Sequence, residues 1–204
     1  WVNAGGYLKS GWALSIIPHI AYGHSLDPRV SSTLTSPVDY RALMAPDMAE
    51  VDAVIHRRLS SKVALVNQIS HYIVNAGGKR VRPMLLLLVA RALGSTSAQR
   101  HEMAAVVEFI HTATLLHDDV VDESDLRRGR KTANAMFGNA ASVLVGDFLY
   151  SRAFQMMVST DRLRVLDVLA DATNVIAEGE VLQLMNMHDP DISVDDYLRV
   201  IEYK

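Results

Sequence analysis

Residues 111–130 read HTATLLHDDVVDESDLRRGR. Asp118, Asp119 and Asp122 form a DDxxD cluster, and Arg127 and Arg128 follow within a few residues. Upstream, Ala104, Ala105, Val107, Phe109, Ile110, Leu115 and Leu116 recur with a helical period, so one helix is expected to run into the acids. Each residue of that helix turns by about 100°, which puts Asp118 and Asp122 one turn apart on one face. His111, seven residues before Asp118, falls on the same face, roughly 10 Å away at about 1.5 Å of rise per residue.

Two carboxylates one turn apart repel, costing a helix about 0.2–0.5 kcal/mol. A cation between them removes that cost. Mg²⁺ takes oxygen ligands and is commonly held by one or two carboxylates, with substrate phosphates completing its octahedron. The arginines that follow suit the remainder of such a ligand, because guanidinium pairs bidentately with phosphate. Taken alone, DDxxD also describes a solvated helix end and RRGR a solvated loop. A second motif decides between these readings.

That motif is AGGKRVRPM, residues 76–84. Gly77 and Gly78 break the preceding helix, and Pro83 suits the first turn of the next. Lys79, Arg80 and Arg82 therefore stand at a helix N-terminus, where free amides and the helix dipole favour an anion. The following segment, Leu85–Leu93, is apolar nearly all round and is expected to be buried.

Composition sets wider limits. The 204 residues are 50% hydrophobic and 6% aromatic, which favours helices over sheet. A net charge of −3 gives no sign of a nucleic-acid partner or an anionic membrane surface. The absence of cysteine excludes disulfides and thiolate metal sites and fits a reducing, cytoplasmic compartment. No apolar run reaches the roughly 18–20 residues of a membrane span. Residues 1–43 carry scattered Gly, Pro and Ser without a sustained period and are expected to be an irregular or extraneous leader. Helical order is expected from Met44, with Met48–Val74 amphipathic and Ser60-Ser61 a possible break.

GGKRVRP at 77–83, followed about thirty-five residues on by LLHDDVVDESDLRRG, resembles the trans-prenyl diphosphate synthases. FIHTATLLHDDVVDESD, TANAMFGNAASVLVGDFLYSRAFQMM and NVIAEGEVLQLMN are similar to the long-chain, octaprenyl-type members of that family. The resemblance covers about residues 48–204. It implies an all-α fold, a helical bundle around a central cavity, and a homodimer. It also implies Mg²⁺-dependent condensation of isopentenyl diphosphate with an allylic diphosphate, with an octaprenyl product of the kind used for quinone side chains.

Residue roles follow from the same resemblance. Lys79, Arg82, His111 and Arg128 are implied to bind isopentenyl diphosphate. Asp118 and Asp122 are implied to hold Mg²⁺ on the allylic diphosphate with Asp119 in support, and Arg127 and Lys204 to grip that diphosphate. Bulk four and five residues before the acids stops short products in the family, so the small Ala113 and Thr114 imply a long one. On the helical wheel Thr114 shares the face of Asp118 and Ala113 does not, yet Ala113→Phe is expected to shorten the product.

Further on, helices are expected from about Ala141 to Ser159 and from about Arg162 to Met187. The second should bury Leu163, Leu166, Leu169, Ile176 and Leu184. Ser193 is a candidate N-cap for a last helix. The family's second aspartate-rich motif has no counterpart here, because Asp195 and Asp196 lack a third acid three residues later. The chain is therefore expected to be a fragment whose C-terminal part is missing, with activity in doubt for the fragment alone. A terpene cyclase would share the acids but needs no isopentenyl site, and a non-catalytic subunit of a heteromeric synthase is the other alternative.

Overall fold

The helix that carries the acids, α4 (Gln99–Val121), is the hub of the structure. It buries Ala104, Ala105, Val106, Phe109, Ile110, Ala113 and Leu116. α6 (Asn139–Val158) packs along it most extensively, contributing Val145, Leu149, Ala153, Met156 and Met157 to the same core. The alanines on both helices let the backbones approach closely, while each fully buried Leu, Met or Phe contributes about 1.5–3 kcal/mol. α1 (Tyr40–Leu59) and α3 (Val81–Ala92) close the other sides of α4.

The computed structural model describes residues 39–204. Residues 1–38 of the expected leader lie outside the described residues, and residues 40–43 belong to α1, which starts before Met44. α2 (Ala64–Asn75) follows the break foreseen at Ser60-Ser61. After α4 come a short antiparallel ribbon, β1 (Leu126–Arg127) with β2 (Arg130–Lys131), then α5 (Ala133–Phe137), α6, α7 (Leu163–Met185) and α8 (Val194–Tyr203). The fold is all-α apart from this ribbon. Thr132 caps α5 and Ser193 caps α8, each hydroxyl accepting the backbone N–H three residues on. Among the described residues no helix is long and apolar enough to cross a membrane.

Two burial expectations fail. On α3 only Pro83 and Leu87 are buried, while Leu85, Val89 and Leu93 are 54%, 57% and 81% exposed. α1 and α4 cover one side of α3, and nothing among the described residues covers the other. On α7 the expected stripe is half wrong: Leu166 and Leu169 pack against the core, but Leu163 and Leu184 are exposed. α7 touches α6 and α8 and stands away from α4, which opens a cleft between α4 and α7.

Candidate active site

The cleft has two connected parts. A cavity of about 430 Å³ lies between α4, α6 and α7, walled by Thr114, Tyr150, Ile176 and Leu184. Asp118, Asp122, Asp147 and Glu180 all line it, and no lysine or arginine does. A second cavity of about 380 Å³ shares Thr114, Asp118 and Glu180 with the first and adds Arg82, His111 and Lys204. Acids and a cationic end thus face one cleft.

Asp122 is not inside α4. It caps the helix, its N–H bonding to the Asp118 carbonyl at 2.7 Å. Burial holds the Asp118 carboxyl above the usual carboxylate range, helped by the charges of Glu180 and Asp122 and opposed by Lys204 and Arg127. Negative charge is therefore in excess here. Asp118 and Asp122 offer oxygen donors, as a hard divalent cation requires. Among the described residues no three His, Asp or Glu converge into a cage. A metal held by Asp118 and Asp122 would need further ligands from a bound molecule.

Asp119 points the other way. One residue on means about 100° around the helix, and the side chain is 1% exposed. Its Oδ1 accepts from Arg127 Nε at 3.0 Å and Nη2 at 2.8 Å, and its backbone carbonyl accepts from Asn134 Nδ2 at 3.1 Å. Oδ2 is buried without a partner. Arg127 is thus bound to a core acid and lines neither large cavity.

At the other end, Arg82 Nη1 lies 3.1 Å from His111 Nε2. A guanidinium only donates, so this ring nitrogen accepts. Burial lowers the His111 pKa, and Arg82, Arg127 and Arg128 lower it further against the pull of Glu108. Arg128 Nη1 donates to the Gly77 carbonyl at 2.8 Å. Arg128 and Gly129 have φ of 53° and 76°, the left-handed pair that a two-residue hairpin turn needs, and this turn sends Arg127 and Arg128 to different partners. Lys79 is exposed in the glycine loop. Lys204 Nζ donates to Glu180 Oε2 at 2.9 Å and to Gln183 Oε1 at 2.5 Å.

Arg82, His111, Thr114, Asp118 and Lys204 therefore share one cavity. Ala113 is fully buried and lines neither large cavity, in keeping with the helical wheel. The sequence analysis names no role for Glu180, Asp147, His117 or Glu108, and Gln183 also lines the first cavity. Glu180 lies one helical turn before Gln183, and that spacing was the available signal. His117 lies with Nε2 3.2 Å from both the Val143 carbonyl and Asp147 Oδ1. Glu108, an acid within an apolar stretch, pairs with Arg80.

Residues 63–204 match a family model described as Polyprenyl synthetase. The chain belongs to the polyprenyl synthetase family. Within this family it is similar to the octaprenyl diphosphate synthase of Escherichia coli (strain K12), 64% identical over 162 residues that cover 79% of this chain and 50% of that protein. It is 52% identical over 167 residues to the all-trans-nonaprenyl-diphosphate synthase (geranyl-diphosphate specific) of Rhodobacter capsulatus, covering 81% and 51%. Among solved structures it is similar to the polyprenyl synthase from Caulobacter crescentus CB15 complexed with calcium and isoprenyl diphosphate. The TM-score is 0.79 and the identity 50%, over 81% of this chain and 50% of that one. The chain spans about half the length of the curated relatives it matches.

Proposed function

We propose that the chain forms the first acid-bearing part of a long-chain trans-polyprenyl diphosphate synthase, which condenses isopentenyl diphosphate with an allylic diphosphate and builds an octaprenyl product. One observation carries the reading: a carboxylate end and a cationic end lie along one face of α4 and open into one cleft. Octaprenyl length is supported by the likeness to the E. coli octaprenyl diphosphate synthase.

Asp118 and Asp122 would hold Mg²⁺, which when bound neutralises charge on the allylic diphosphate as it departs. Arg82, His111, Arg128 and the neighbouring Lys79 would bind isopentenyl diphosphate. Lys204, now on Glu180 and Gln183, would turn to the allylic diphosphate. Arg127 keeps Asp119 neutralised, so that the acid beside Asp118 adds no free charge. The allylic C–O bond breaks with its electrons going to diphosphate, the isopentenyl double bond attacks the carbon left positive, and the released diphosphate takes up the proton that is lost. Ile110 and Ile176 give that carbon an apolar wall.

The test is to incubate the full-length protein with farnesyl diphosphate, labelled isopentenyl diphosphate and Mg²⁺. A ladder of longer prenyl diphosphates ending at the octaprenyl product is expected. Folded protein without incorporation overturns the reading.

A further inference from the structure

Glu108 stands out in the cationic half of the site. It is an acid in the middle of α4, 8% exposed, one turn before His111 and Thr112. Its Oε1 lies 2.5 Å from Arg80 Nη1, and Arg80 Nε lies a further 3.9 Å from Asp52 Oδ1. Arg80 is thus turned inward, although the sequence groups it with Lys79 and Arg82.

The backbone at Arg80 explains why this matters. Its φ of 48° and ψ of 37° are left-handed, a conformation that a residue with a Cβ rarely adopts unless its surroundings hold it there. No side chain caps the helix at this residue. Its guanidinium is anchored on Glu108 and faces Asp52. The other end of the loop is fastened separately, because Arg128 Nη1 donates to the Gly77 carbonyl and a Cβ at Gly78 would come within 3.3 Å of that same nitrogen. Lys79 stands between the two fastenings, and Arg82 meets His111 in the turn that follows.

Stability is a poor reason for such a pair, because buried ion pairs often add little to it. Their best-supported use is to fix one arrangement. We propose that Glu108 is a positioning residue for the isopentenyl diphosphate subsite: by holding Arg80 it sets the left-handed bend of the glycine loop that places Lys79 and Arg82. This rests on the functional reading above.

The test uses the full-length protein and its Glu108→Leu, Glu108→Gln and Arg80→Gly/Glu108→Leu variants. KM is measured for each diphosphate separately, and isopentenyl diphosphate binding is measured by calorimetry without the allylic substrate. Glu108→Leu should raise the isopentenyl KM and Kd at least tenfold and leave the allylic KM within twofold. Glu108→Gln keeps an acceptor oxygen and should raise the isopentenyl values two- to fivefold only. The double variant should recover most of the loss, because glycine takes the left-handed bend freely and no released guanidinium remains.

An isopentenyl KM within twofold of the parent in Glu108→Leu overturns the inference. Equal rises for both substrates also do so, since they mark a general structural defect. If Glu108→Leu fails to fold, Glu108→Gln and the double variant decide by the same split. Failure of the unmodified protein to bind isopentenyl diphosphate sinks the functional reading and this inference with it, and is recognisable because it needs no substitution.

Discussion

Asp119 and Asp118, neighbours in the DDxxD cluster, should respond to the same substitution with opposite signs. Asp119 is 1% exposed and accepts two N–H groups from Arg127 on one oxygen. Asp119→Asn keeps the volume but removes the charge that compensates Arg127, and it places an NH₂ where Oδ2 has no partner to offer. Breaking a buried ion pair costs about 3–5 kcal/mol. Arg127 retains 35% exposure and so recovers part of this in water. A loss of about 2–4 kcal/mol remains, or roughly 4–16 °C in Tm at about 2–4 °C per kcal/mol for a domain of this size. Asp118 is the reverse case. Its pKa is raised, so the folded state binds a proton more readily than the unfolded chain does. The stability this gives is complete below the unfolded pKa and is lost as pH rises through the folded one. At neutral pH the parent therefore carries a disfavoured charge that Asp118→Asn removes, and its Tm should rise. Differential scanning calorimetry at pH 7 without divalent ions or diphosphate reads both variants. Equal falls in Tm, or an unchanged Asp119→Asn, would refute the division of the acids into one core residue and two cavity residues.

Other perturbations follow from single contacts. Gly146→Ala would place a Cβ 2.4 Å from His117 Nε2, so the ring must leave Val143 and Asp147, and thermal unfolding should show a loss of about 1–3 kcal/mol. Thr114→Phe fills the cleft and should shorten the product ladder seen by chromatography, with an unchanged ladder removing Thr114 from chain-length control. Ala113→Phe overpacks the core instead, and its first effect should be a loss of about 1–3 kcal/mol. Asp47 is held below the ordinary carboxylate range, chiefly by its hydrogen bond to His101 and then by Arg100. The stability it lends is present above 3.8 and is lost as pH falls through its lowered pKa, so Asp47→Asn should melt lower at neutral pH with the gap closing in acid.

Periodicity made α4, α6 and the limits of α7 legible, because long amphipathic segments repeat their signal. Ser193 and the Ser60-Ser61 break were also readable from local chemistry. The inward turn of Asp119 was implicit in the same wheel that aligned Asp118 with Asp122. Other features lacked a local signal. An apolar run such as Leu85–Leu93 does not tell which of its sides a neighbour covers, so its exposure depends on where α1 and α4 lie. The Arg128-Gly129 turn occupies two residues, too few for any period. Arg80 and Lys79 read alike as cations, and only the distant Glu108 separates them.

The ribbon between the acids and α5 has a consequence for tolerance to length change. Of its neighbouring arginines, Arg127 ends β1 and Arg128 opens the two-residue turn, one joined to a core acid and the other to a carbonyl more than fifty residues earlier. Inserting or deleting one residue there would exchange their directions, since a one-residue slip reverses every side chain of a strand. Asp119 would lose its counter-ion and Gly77 its tether in the same event. The turn should accept substitution at the outer pair, Leu126 and Lys131, far more readily than any change of length.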